Sequence, residues 1–158
     1  MRRLPKLSIA VAASCHLVLA ARATTGGGSD HPHFEPLLFD AWRRAGVAVA
    51  VADAGYDSEA NHRIGRLDMG VETVIPPDIG RPSAAGPAGE FRAEMRARFD
   101  RPEHDGTYGQ RWQVETVNSM IKRNLGSALR ATTARRRSLE MLLRVLTHNI
   151  MVLEGTEP

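Results

Sequence analysis

The chain has 158 residues, 42% apolar and 25% charged, as in an ordinary globular protein and unlike a disordered or fibrous one. That is one domain's worth of chain, enough to bury roughly 68–70% of its unfolded surface. A formal net charge of +3 is a weak pointer to a polyanionic partner. The single cysteine, Cys15, excludes an internal disulfide and disfavours a thiolate zinc site, and no run reaches the roughly 18 apolar residues of a membrane span.

Met1-Arg2-Arg3, an apolar run and Ala21-Arg22-Ala23 together mimic a secretory signal. Lys6 and His16 interrupt the run, however, and Leu7, Ile9 and Val11 alternate with Ser8 and Ala10. Residues 6–13 and 16–24 therefore read as two antiparallel strands joined at Ser14-Cys15, with Cys15 a small buried residue near a strand end. After Gly26-Gly27-Gly28, Ser29 or Asp30 is expected to cap a helix with Pro32 in its first turn. Phe34, Leu37, Leu38, Ala41 and Trp42 recur at helical spacing, and Gly46 stops the helix. His31 and His33 have no third ligand at useful spacing and are given no metal role.

Val47 to Ala52 is continuously apolar, the pattern of a central strand covered on both faces, and Asp53 stands at its carboxyl end. Ligands gather beyond such strand ends. A buried aspartate there needs a partner to offset its charge, and a divalent cation is a natural one. Asp57 and Ser58 open a helix through about Leu67, Gly70 ends it, and Val71 to Ile75 is a further strand stopped by Pro76-Pro77. Residues 76–107, rich in Pro, Gly and charge, read as a flexible insertion with a short helix at 89–99.

Tyr108 to Lys122 reads as a helix ended by Gly126. Arg111, Glu115, Asn118 and Lys122 share one stripe, while Val114, Val117, Ile121 and Leu125 form another that would seat the helix on a core. From Tyr108 to His148 there are eight basic residues, among them Arg123 and Arg135-Arg136-Arg137, and two acidic ones, Glu115 and Glu140. Positive charge gathered around one carboxylate is the pattern of a phosphate-backbone surface with an active acid in it. A last helix follows, with Leu139, Leu142, Leu143, Leu146, Ile150 and Leu153 as its apolar face.

Tyr108, Arg111, Glu115 and Lys122, separated by two, three and six residues, resemble the Tyr-Arg-Glu-Lys signature of bacterial insertion-sequence transposases of the DDE type. Ala52-Asp53-Ala54-Gly55-Tyr56-Asp57 resembles the segment holding that family's second catalytic aspartate. The likeness runs from Lys6 to about Leu153 and covers the latter part of such a transposase. It implies an α/β, ribonuclease-H-like fold lacking its first strand, with helices packed on a small mixed sheet in one domain over 1–158. It also implies a role in DNA transposition, by hydrolysis of a phosphodiester and attack of the freed 3′-hydroxyl on target DNA. Two Mg²⁺ (or Mn²⁺) ions about 3.5–4 Å apart serve such chemistry.

Carried over by position, Asp53 and Glu115 become catalytic metal ligands, and Tyr108, Arg111, Asn118, Lys122 and Arg123 DNA-binding residues. Glu115 and Lys122 lie about 10 Å apart along a helix, so metal and DNA duties fall to separate groups. The implied partners are duplex DNA (element ends and target) and a second copy or an intact transposase, with no membrane, in the cytoplasm at the nucleoid. The family's first aspartate should stand on a strand before Leu7, and Met1 to Lys6 hold no carboxylate. Asp30 and Asp40, at a helix start and inside a helix, do not replace it. The expectation is a truncated copy, inactive by itself. The alternatives are a non-catalytic DNA-binding fragment that regulates an intact transposase, a one-metal nuclease, and a small secreted protein.

Overall fold

Two strands at the start of the chain, β1 (Pro5–Val11) and β2 (Val18–Thr25), form an antiparallel hairpin with Leu7 opposite Ala23 and Ile9 opposite Ala21. The computed structural model describes residues 5–25, 30–78, 88–101 and 106–155. They continue with α1 (His31–Ala45), β3 (Val49–Val51), a 3-10 turn (Ala54–Tyr56) and α2 (Glu59–Arg63), which runs into a π-helical turn (Ile64–Asp68). β4 (Glu72–Val74), α3 (Glu90–Phe99), a 3-10 turn (Thr107–Arg111), α4 (Trp112–Leu125) and α5 (Ala134–Glu154) complete the chain. The molecule divides into two compact units, Met1–Gly28 with Trp112–Pro158, and Ser29–Arg111. In place of one small mixed sheet, the described strands form an antiparallel pair in the first unit and a parallel pair in the second.

In the first unit, Leu7, Ile9, Val11 and Ala21 pack against a core of Val18, Val117, Ile121 and Val145. The stripe expected to seat α4 does so through Val117 and Ile121. Cys15 is exposed, against the expectation, because it sits in the turn between the strands and not on one of them. α5 also departs from its sequence pattern. It buries Met141, Val145 and His148, while Leu139, Leu143, Leu146, Ile150 and Leu153 stay exposed. Hydrogen bonds fix that rotation. The Asn149 side-chain amide accepts from Val18 N–H at 2.8 Å and donates to Val18 C=O at 2.9 Å, and His148 Nε2 meets His16 C=O at 3.0 Å. Among the described residues, no helix is long and apolar enough to cross a membrane.

In the second unit, α1 begins where expected, but Asp30 makes no side-chain capping bond. Gly46 closes the helix in the left-handed region (φ +60°), its N–H on Trp42 C=O. Phe34, Leu37, Leu38 and Ala41 are buried, whereas Trp42 is not. β3 is a three-residue strand that, among the described residues, pairs with β4 alone, Ala50 opposite Thr73. Val49 is 41% exposed, so the expected two-sided cover of 47–52 is absent. With one neighbouring strand, the apolar run is short of partners. Its inner side, Ala50 and Ala52, packs on Phe34, Leu38, Val71 and Ile75.

α3 has one fully buried apolar side chain, Met95, and is held largely by charge. Arg92 Nε reaches both Asp57 oxygens at 3.0 Å and its Nη2 reaches Oδ2 at 2.7 Å. Asp57 also accepts from Asp78 N–H at 2.8 Å, and its side chain has no exposed surface. Glu59 caps the helix from outside, accepting from the N–H groups of Phe91 and Arg92. Gly89, at φ +112°, allows this, since a methyl group there would run into the Glu59 side chain. Arg66–Glu94 and Arg98–Glu72 pairs add to the attachment.

Removing one member of a buried ion pair leaves the other charged and desolvated, at a cost of about 3–5 kcal/mol. Arg92→Ala should therefore lower stability by about that amount in urea denaturation, and adding Asp57→Asn should restore a large part of it. Equal losses in the single and double variants would place the cause outside the buried charge.

Candidate functional site

Asp53 leaves β3 in an extended conformation and caps the following 3-10 turn, its Oδ1 accepting from Gly55 N–H at 2.9 Å. The side chain is exposed, contrary to the buried aspartate expected at this strand end. Water solvates its charge, so burial by itself creates no demand for a cation. The Gly55 bond fixes one oxygen. A methyl group on Gly55 would lie 2.9 Å from Asp53 Oδ1 and 3.5 Å from Asp30 Oδ2, so both carboxylates converge on this glycine. The start of α1 thus delivers Asp30 to Asp53, a neighbour that sequence spacing of 23 residues does not disclose.

Tyr108 and Arg111 lie on the 3-10 turn Thr107–Arg111 and not on the α-helix that follows. The turn packs on β3, the strand that leads to Asp53. Tyr108 stacks edge-on with Phe99, centroids 5.1 Å apart, and the Arg111 guanidinium lies 6.0 Å from the Tyr108 ring. This turn gathers an aromatic face and a cation beside the strand that ends near the carboxylates.

Glu115, Asn118 and Lys122 sit on α4 at steps of three and four, which places them on one stripe, with Arg123 one residue round. Glu115, Lys122 and Arg123 are exposed and Asn118 is half-buried. Val117 and Ile121 turn inward, so core packing fixes the helix and leaves its charged side to solvent. The single stripe expected from Arg111 onward begins at Glu115, since the residues up to Arg111 have 3-10 geometry. The second unit therefore holds Asp53, Tyr108 and Arg111, and the first holds Glu115, Asn118, Lys122 and Arg123.

Carboxylate oxygens are the donors that Mg²⁺ and Mn²⁺ prefer, and solvent-accessible Asp53 and Glu115 meet that requirement. Among the described residues, no group of three or more His, Cys, Asp or Glu side chains is arranged to hold a metal ion. The ligand chemistry fits, while a full coordination set does not come from one cluster.

Sequence reasoning missed the most connected polar cluster. Asp57 and His62 lie on either side of the start of α2. His62 is buried, its Nδ1 2.6 Å from Thr73 Oγ1 and its Nε2 3.8 Å from Asp57 Oδ1. Arg66 Nε donates to the same threonine hydroxyl at 3.0 Å. Burial, and then the Arg66 charge, hold the His62 pKa below the ordinary 6.5, against the opposing pull of Asp57, Glu59 and Glu94. The sequence shows only Asp57 and Ser58 before a helix, while Arg92 lies 35 residues on.

Over residues 2–150 the chain matches the family model described as the transposase DDE domain. No curated protein and no solved structure gives a significant match.

The lowered His62 pKa sets a direction for stability against pH. Between the folded value and 6.5 the unfolded chain binds more protons, so this contribution is intact above 6.5 and is lost as pH falls below it. Melting temperature should drop on acidification from pH 7.5 to 5, and His62→Gln should flatten the part of the curve below 6.5. An unchanged slope in that variant would assign the acid sensitivity to other groups.

Proposed function

As this chain belongs to the transposase DDE-domain family, we propose that it acts in DNA transposition through metal-dependent cleavage and strand transfer of DNA phosphodiesters. The family match over nearly the whole chain carries the reading. Two features support it: Asp53 follows a parallel strand with its carboxylate in solvent, and α4 presents Glu115 and Lys122 outward from a packed inner side. The order β-hairpin, α1, β3, α2 and β4 is also compatible with part of a ribonuclease-H-like domain.

In this reading Asp53 and Glu115 are the two acidic ligands this chain supplies. The divalent ions, when bound, activate the attacking oxygen and neutralise charge on the leaving one. Gly55 N–H holds one Asp53 oxygen and so fixes the orientation of the carboxylate. Arg111, Lys122 and Arg123 bind phosphates, Asn118 adds a hydrogen bond, and the Tyr108 ring packs beside the DNA. Catalysis calls for a third carboxylate to set the two-ion spacing. We assign this chain DNA binding, with strand transfer depending on a third carboxylate beside Asp53 and Glu115.

Strand transfer on a duplex carrying an element end, with Mg²⁺ or Mn²⁺, tests this directly: robust turnover by the chain alone overturns the assignment. Duplex binding should weaken with salt, and Lys122→Ala should reduce the slope of log affinity against log salt by about 0.9 if it contacts one phosphate. Glu115→Gln should leave binding intact or tighter while abolishing any residual cleavage. Cleavage that survives Glu115→Gln removes that residue from the site.

A further inference from the structure

α3 is tied to its own unit from one end to the other. Near its start, Arg92 lies on Asp57 and the Phe91 ring is 5.1 Å from the Arg66 guanidinium. Met95 is buried midway, and Arg98 Nη1 reaches Glu72 Oε1 at 2.8 Å near the end. Glu72 is the β4 residue opposite Val49 of β3. A ten-residue helix spans about 15 Å, and this one delivers its last residue, Phe99, edge-on to the Tyr108 ring at 5.1 Å and 87°. The turn that carries Tyr108 is weakly fixed by its own backbone. It is a 3-10 piece, Thr107–Arg111, and such pieces have poorer hydrogen-bond geometry than an α-helix. Gly106, at φ +59°, and Gly109 flank Tyr108, and glycine is the residue with most backbone freedom to lose. A bond from Gly109 N–H to Gly106 C=O at 2.9 Å helps to close the turn, and the Tyr108 ring adds side-chain contacts on two sides. One is with Phe99, and the other is with the Arg111 guanidinium, 6.0 Å from the ring centroid.

We infer that Phe99 is a positioning residue for DNA binding: carried on α3, it sets the Tyr108 ring and, through that ring, the Arg111 guanidinium. The inference rests on the DNA-binding role proposed above for Tyr108 and Arg111. The observed separation and tilt are those that paired rings favour, and replacing one ring by an aliphatic side chain removes the preference. The other end of α3 is anchored on Asp57, whose own N–H bonds to Ala54 C=O and ends the short turn that Asp53 caps. The turn behind the acid and the turn bearing the aromatic ring therefore share one support. Sequence spacing does not disclose this, because Phe99 lies outside the Tyr108 to Lys122 pattern.

Fluorine NMR of the full chain labelled with fluorotyrosine tests the inference without DNA. The chain has two tyrosines, and the other, Tyr56, packs on Phe34 at 6.1 Å beside the apolar core of the same unit. Phe99→Leu should move the Tyr108 signal toward its position in the unfolded chain, while the Tyr56 signal stays in place. Phe99→Tyr, which keeps a ring, should leave both signals near their wild-type positions. On a short mixed-sequence duplex, Phe99→Leu should weaken binding about 2- to 10-fold, and Phe99→Tyr should not. In a Tyr108→Leu background the same substitution should cost nothing further. A Tyr108 signal unmoved by Phe99→Leu overturns the inference, as do affinity losses that add in the double variant. Movement of both signals overturns it too, since Phe99 would then hold the unit and not the turn. A wild-type chain that does not bind duplex overturns the DNA-binding reading instead, and the Tyr108 signal still decides whether Phe99 sets the ring.

Discussion

The Asp57 carboxylate has no exposed side-chain surface, and Arg92 lies across both of its oxygens. A charge in that position cannot be left alone, so wherever Asp57 goes, α3 goes with it. The same necessity extends outward: Glu59 takes up the free N–H groups at the start of α3, and Arg66 ties Thr73 to Glu94. Apolar burial contributes Met95 and parts of Phe91 and Phe99, which is little for a ten-residue helix. Within the Ser29–Arg111 unit, the attachment of α3 is therefore specified mainly by directional contacts, while α1 and β3 rest on the apolar core.

The first unit uses a milder version of the same device. A side-chain amide, Asn149, occupies the hydrogen-bonding positions of Val18 much as a neighbouring strand would. Two neutral bonds of this sort contribute modestly to stability, but they decide which side of α5 faces the hairpin. Val145 then joins Val117 and Ile121 in the core, and a richer leucine row is turned away from it. Polar geometry has overruled apolar content here because the buried backbone groups of Val18 have to be satisfied.

Local signals in the sequence located most elements. Alternation in residues 7–11, helical spacing from Phe34, the Gly46 stop and the short helix before Phe99 all have counterparts in the structure. Asp53 at a strand end was legible, because the apolar run and the break after it are contiguous. Its exposure was not, since that depends on how many strands flank β3. The burial of α5 was misread because its determinants, Val18 and Asn149, are 131 residues apart, and amphipathic periodicity carries no information at that range. Asp30 beside Asp53 and Arg92 on Asp57 went unseen for the same reason. At Tyr108 and Arg111 the helix type was misread, as a 3-10 turn advances the chain through a different angle per residue.

One unit is interrupted by the other: the hairpin at the start belongs with α4 and α5, and Ser29–Arg111 lies between them in the chain. During synthesis the hairpin emerges first and must wait for about eighty further residues before its covering helices appear. At about 5–20 residues per second that wait lasts about 4–16 s, during which Leu7, Ile9 and Val11 lack their core. The intervening unit is contiguous and can form while the ribosome is still working. The contiguous unit thus has the chance to mature before the one whose two parts flank it.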